Sequence, residues 1–312
     1  MTKRAETLQT VRSIMKRIVA NAIPVNWRSA SPIPGAGERK SFSRGSSGYD
    51  VVARVEYEPG DDPRDIDWAA TAQMGGQTVY TTQYMEPRDL KVFVLVDTNP
   101  TMDFGTARVN KRELAAELCG SVIQSANETR DRVGFFAYSE RGIESELTAR
   151  AAQTAMIPAL FGLLEAKGTS RSGNGTSGLC TALARLPRTR SLVFIISDFL
   201  HLTEDEKRAI KRAGFTHDVV CLVVQDRRER ELPAPTGWFP ELITVRDIRT
   251  GERRSIWLTK KNRKAFADNF ARHQEELLAF LKSARCDRVI FSTEEGEAAI
   301  PRLIRVFSGH RS

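Results

Sequence analysis

The sequence predicts an α/β fold: a doubly wound, mostly parallel sheet with helices on both faces, preceded by a small β-rich segment. Three observations carry that reading. From Leu90 onward, short apolar runs alternate with longer segments of helical periodicity, the pattern of successive strand–helix units. The runs 92–96, 192–196 and 219–224 are apolar at every position, as strands covered on both faces are. The chain's 312 residues, 41% of them hydrophobic, suffice for a full core and exceed a single small domain.

Taken in order, residues 1–28 open with an amphipathic helix, in which Leu8, Val11, Met15 and Ile18 recur at helical spacing among Lys3, Arg4, Arg12, Lys16 and Arg17. The segment lacks a signal peptide's apolar centre. Packing on its own protein or a partner explains it better than attachment to a membrane surface. Residues 29–48, rich in Ser, Gly, Pro and Arg, read as an exposed loop or linker. They begin a preamble over 29–88, where 51–55 and 78–84 alternate like short strands around a turn-rich acidic centre.

The main domain is expected over 89–312. Its first strand, 92–96, ends on Asp97. A helix over 111–129, strands over 132–138 and 143–148, and helices over 155–167 and 179–186 follow. The buried strand 191–197 ends on Asp198, and the next helix, 203–213, starts with Glu204, Asp205 and Glu206, which complement the positive end of its dipole. A strand over 217–224, a hairpin over 241–258, a long helix over 263–283, a strand over 288–292 and a helix over 297–307 complete the domain.

Composition narrows the function. Lys and Arg number 47 against 39 Asp and Glu, a formal charge of +8, so a basic nucleic-acid-binding module is the alternative reading to keep. The densest basic run, Arg227, Arg228 and Arg230, is broken by Glu229 and Glu231 and reads as a solvated face. Cys119, Cys180, Cys221 and Cys286 are scattered through apolar stretches and read as buried, reduced thiols. His201, His217, His273 and His310 are isolated, which argues against a zinc enzyme, and His201 reads as an exposed residue before a helix. The sequence holds no P-loop and no Gly-x-Ser-x-Gly elbow, and the glycines of 173–178 lack the strand that a dinucleotide turn requires. No run is long enough to cross a bilayer. With no signal segment and scattered cysteines, a cytoplasmic location is expected.

In such sheets ligands collect at the carboxyl ends of strands, commonly between the first and fourth, where strand order reverses. Asp97 and Asp198 end those strands, and Asn99, Thr101 and the loop 168–178 offer further oxygens. Two acids with hydroxyl and amide oxygens suit Mg²⁺, which keeps positions open for an incoming carboxylate. The alternative is that both acids cap their loops by accepting backbone N–H bonds. In the preamble, Asp61, Asp62, Asp65 and Asp67 can pair with Arg54, Arg64 or backbone amides, with Tyr57 and Trp68 as buried anchors. Asp61, Asp62, Arg64, Asp65 and Asp67 also form a candidate docking surface for a partner. Pro63 and the missing turn glycine exclude an EF-hand.

Residues 96–102, Val-Asp-Thr-Asn-Pro-Thr-Met, resemble the first loop of the metal-ion-dependent adhesion site of von Willebrand factor A domains, Asp-x-Ser-x-Ser followed by Met, with Asn99 replacing the first Ser. Gly175-Thr176 resembles the loop that carries that family's metal-ligating Thr, with Thr169 as a second candidate, and Ile196-Ser197-Asp198 resembles its final acidic loop. The resemblance implies Mg²⁺ held by Asp97, Asn99, Thr101, Thr176 and Asp198. Residues 54–68, Arg-Val-Glu-Tyr-Glu-Pro-Gly-Asp-Asp-Pro-Arg-Asp-Ile-Asp-Trp, resemble the signature of the family called domain of unknown function 58, and 131–134 and 250–252 also fit it. Members are associated with AAA+ ATPases of the MoxR type. This resemblance therefore implies a non-enzymatic adaptor or co-chaperone that links such an ATPase to client proteins. A metal-dependent phosphohydrolase using Asp97 and Asp198 would need a second metal or a basic clamp that the sequence does not offer.

Overall fold

The computed structural model describes residues 3–20, 40–44, 50–57, 66–75, 78–87, 91–107, 109–168, 176–235, 237, 241–246, 248 and 251–295. The chain forms two compact units, one of residues 28–90 and one of residues 1–27 together with 91–312.

The smaller unit contains an antiparallel sheet in the order β1-β3-β2, built from β1 (Lys40–Arg44), β2 (Asp50–Glu56) and β3 (Tyr80–Pro87). β1 falls inside the stretch expected to be a linker. Its sequence, Lys-Ser-Phe-Ser-Arg, has no apolar run, and pairing with β3 from Lys40–Pro87 to Arg44–Gln83 makes it a strand. A short helix, α2 (Trp68–Gln73), precedes β3 and is capped by Asp67, whose carboxylate accepts the Ala70 N–H at 2.9 Å. Trp68, expected as a buried anchor, is 67% exposed at the first helical position. Asp67 thus has a structural task, while Asp61, Asp62, Arg64 and Asp65 lie outside the described residues.

The larger unit runs α1 (Lys3–Ala20), β4 (Lys91–Asp97), α3 (Lys111–Glu128), β5 (Arg132–Ser139), β6 (Gly142–Ala151), α4 (Ala152–Glu165), α5 (Gly178–Ala184) and β7 (Leu192–Ser197). It continues with α6 (Glu204–Thr216), β8 (Asp218–Gln225), α7 (Arg227–Arg230), β9 (Leu242–Arg246), β10 (Arg253–Trp257), α8 (Lys260–Ser283) and β11 (Asp287–Ser292). Among the described residues the main sheet has six strands in the order β11-β8-β7-β4-β5-β6. All its pairings are parallel except the hairpin β5–β6. Counted from β4 within this sheet the order is the doubly wound 3-2-1-4-5-6, which puts the reversal between β4 and β7. The hairpin β9–β10 stands as a separate two-stranded sheet. The helix expected over 297–307 lies outside the described residues.

Residues 92–96 of β4 are buried on both faces, as their unbroken apolar run predicts. Phe93 and Leu95 share one core with Val193 and Ile195 of β7, Leu179 of α5, Ile210 of α6 and Leu281 of α8. α1, α3 and α4 pack on one another, so most of the apolar face of α1 is covered by its own protein, while Leu8 stays exposed. Ile18 rests on Gly120, where a Cβ would come within 2.2 Å of Ile18 Cδ1, and Arg17 lies 2.7 Å from Glu117. Val11, Ile14 and Ile18 are fully buried, and each such side chain contributes about 1.5–3 kcal/mol. Among the described residues no helix is long and apolar enough to cross a membrane. Cys119, Cys221 and Cys286 are buried free thiols, and Cys180 is half-buried.

Candidate functional site

The reversal of strand order brings the carboxyl ends of β4 and β7 side by side, so Asp97 and Asp198 meet at one crevice of about 50 Å³. Asn99 and Thr101 from the loop after β4, Tyr138 from β5 and Ser177 line it too. Thr176 does not: it is exposed, and its neighbour Ser177 faces the crevice while accepting the Cys180 N–H to cap α5. Thr169 lies outside the described residues. The space admits one side-chain head group, far less than the roughly 300–1,000 Å³ of a small-molecule pocket.

Both acids cap their own loops. Asp97 Oδ1 accepts the Asn99 N–H at 2.8 Å and Oδ2 accepts the Ser197 hydroxyl at 2.7 Å. Asp198 Oδ1 accepts the Leu200 N–H at 3.1 Å. Asn99 turns its Oδ1 to the Glu140 N–H at 2.9 Å. Between them Phe199 holds a left-handed backbone, φ 51°, a conformation that costs a non-glycine residue about 1–2 kcal/mol. That turn brings the Phe199 N–H to Ser197 Oγ at 3.0 Å while its ring stays buried.

The residue that organises the crevice was not among those expected. Lys111, at the first position of α3, is fully buried, with Nζ 2.7 Å from Asp198 Oδ2 and 2.5 Å from Glu229 Oε1. Asn110 and Glu113 form a capping box that starts α3 at this point. Arg112 follows, donating to Thr98 O at 2.9 Å and Ala166 O at 2.8 Å, with Nε 2.6 Å from Asp103 Oδ1. A signal for both was present in the sequence. Two cations directly after an N-cap oppose the helix dipole, so that position asks for compensating acids. Glu229 corrects the reading of 227–231 as wholly solvated: its side chain is 14% exposed and turned inward to Lys111.

Burial pushes the Lys111 ammonium's pKa down, but Asp198 and Glu229 outweigh burial and leave it above the ordinary lysine range. For Glu229 the balance is opposite: burial first, with the charge of Asp198 behind it, raises its pKa against the charge and hydrogen bond of Lys111. The two directions agree because one ammonium is shared between two carboxylates, so the cation is more fully satisfied than Glu229. Burial first, and the charge of Asp198 second, push Asp97 up to about 7, against hydrogen bonds from Asn99 and Ser197. Tyr138 is held well above the usual phenol range by burial and by Asp97 and Glu206, so it remains a neutral hydroxyl. That hydroxyl is buried and unpartnered among the described residues. Ser197 is close enough to influence it, and since the Ser197 proton goes to Asp97, Ser197 Oγ can meet the phenol only as an acceptor.

The donor set does not fit Mg²⁺ well. Asp198 already holds an ammonium, Asn99 Oδ1 is directed at a backbone N–H, and Thr176 is absent from the crevice lining. A divalent ion on Asp198 would sit beside a fixed positive charge with little water to screen it.

The family described as "Protein of unknown function DUF58" matches residues 53–276. The chain belongs to this family. An uncharacterized protein of Mycobacterium tuberculosis is 26% identical over 281 residues, covering 89% of this chain and 81% of that protein. Among solved structures, BatB from Bacteroides thetaiotaomicron is 16% identical over 70% of this chain and 97% of its own, with a TM-score of 0.45. A von Willebrand factor type A protein from Catenulispora acidiphila is 13% identical over 74% of this chain and 45% of its own, with a TM-score of 0.39. The residues matched by the DUF58 family include the capped segment at Asp67 and the whole crevice.

Proposed function

We propose that this DUF58 chain is a non-catalytic, cytoplasmic protein-interaction module, an adaptor or co-chaperone that works with an AAA+ ATPase of the MoxR type and receives its partner at the β4–β7 crevice. The observation that carries the crevice is the Tyr138 hydroxyl: neutral, buried in a residue that lines the small space, and without a hydrogen bond of ordinary geometry among the described residues. An unpaired buried hydroxyl costs about 1–3 kcal/mol, which a partner's polar group recovers on binding. The crevice volume suits a side chain presented by another protein. The ATPase partner rests on the family resemblance.

The test is binding of the purified full chain to a purified MoxR-type ATPase from the same genome, followed by calorimetry with Tyr138→Phe. A complex weakened about tenfold in that variant, with the fold intact, is expected from the loss of one buried hydrogen bond. No complex with any such ATPase refutes the partner. A complex of unchanged affinity in both Tyr138→Phe and Asp97→Ala removes the crevice. Steeply salt-dependent nucleic-acid binding in place of protein binding would favour the basic-module alternative.

A further inference from the structure

We propose that the Lys111 ammonium is the resident cation of this crevice, compensating its acids from inside the fold, so that the crevice works without the divalent ion its loop sequence suggests. Three observations point the same way. Lys111 Nζ has no solvent exposure and bridges Asp198 and Glu229 at 2.7 and 2.5 Å, which makes it a fixed part of the fold. It projects from the first turn of α3, where the dipole disfavours a cation, so its position depends on those acids. Asn99, which stands where the adhesion motif has its first serine, accepts the Glu140 N–H and so serves the loop. Buried charges are tolerated when paired and hydrogen-bonded, and a lysine meets that need with one charge and without coordination geometry. A divalent ion drawn to Asp198 would have to displace the ammonium or lie against it.

The crevice then presents Asp97, Glu140, Asp198 and Glu206 with one internal ammonium behind them, and among the described residues that line it none is Lys or Arg. An ion-gated carboxylate contact is thereby replaced by a permanently formed polar surface. This inference concerns the ion alone and stands whichever protein binds.

Mn²⁺, an EPR-visible substitute for Mg²⁺, titrated into the purified full-length chain tests it without any partner. No saturable binding at millimolar Mn²⁺, and the same melting temperature in Mg²⁺ and in chelator, is the expected result. One Mn²⁺ bound per wild-type chain and lost in Asp97→Ala overturns the proposal. Lys111→Gln removes the charge while keeping a donor for both acids, and Lys111→Ala leaves room for an ion, so misfolding of one variant still leaves the other. A gain of one Mn²⁺ site, at least tenfold tighter than any wild-type binding, is expected in the folded variant. A folded variant that binds no better than wild type overturns the role given to the ammonium.

Discussion

Replacing Lys111 by Met keeps most of the stem's volume and deletes the charge together with its hydrogen bonds to Asp198 and Glu229, so it reads what the ammonium as a whole does. The side chains of Lys111, Asp198 and Glu229 are 0%, 4% and 14% exposed, so the variant leaves two carboxylates facing each other with little solvent. Removing one partner of a buried ion pair costs about 3–5 kcal/mol. In a domain of this size each kcal/mol moves Tm by about 2–4 °C, which predicts a fall of roughly 6–20 °C by calorimetry or circular dichroism at neutral pH. The deficit should shrink as pH falls, because an uncompensated buried carboxylate takes up a proton more readily. Combining Lys111→Met with Asp198→Asn should lose less than the sum of the single variants, since the second change removes the charge that the first exposed. A loss below about 1 kcal/mol, or strict additivity in the double variant, would refute the view that this ammonium compensates the crevice.

The remaining predictions follow from single side chains. Tyr138→Phe should leave the melting temperature unchanged or raise it, because it deletes a buried hydroxyl that has no partner; a loss above about 1 kcal/mol in a denaturant titration would show that the hydroxyl is bonded in the free protein. Asp97, pushed up to about 7, binds its proton more tightly folded than unfolded, so its contribution is fully present below the ordinary carboxylate range and is lost as pH rises toward 7. Asp97→Asn should flatten that decline, worth up to roughly 4 kcal/mol by pH 8, and a pH–stability profile unchanged by the variant would contradict the shift. Asp226 is fully buried and accepts hydrogen bonds from the Thr106 amide and hydroxyl, the Thr293 hydroxyl and the Arg228 amide. Burial raises its pKa, but those bonds together hold it below the usual value, so its contribution is present above the carboxylate range and lost in acid. Asp226→Ala should cost about 3 kcal/mol or more at pH 7, a difference from wild type that narrows as urea titrations are taken into acid. Gly168 has φ 56°, and a Cβ there would lie 2.2 Å from Thr98 O and 2.6 Å from Arg112 Nη2. Gly168→Ala should therefore destabilise by more than about 2 kcal/mol, and a melting temperature equal to wild type would show that this turn relaxes freely.

By itself the sequence determined the sheet and the place of its ligand end. Runs apolar at every position have one compact solution, burial on both faces, and the acids that close two of those runs, Asp97 and Asp198, must emerge at the same edge once the strands are parallel neighbours. It was a poorer guide where no local pattern existed. β1 became a strand because β3 offered an unpaired edge, and Trp68, the first residue of α2, stayed exposed where its apolar ring had suggested burial. Thr176 and Ser177 are adjacent hydroxyl residues, and only the loop's path selects the one that faces the crevice. The tertiary structure alone decided the chemistry of the site. Lys111 meets Asp198 across 87 residues and Glu229 across 118, separations over which charge pairing leaves no periodic trace. A buried charge takes its partner from whatever the fold brings within reach, and here the fold brought an ammonium to the acids that the sequence had suggested for a metal.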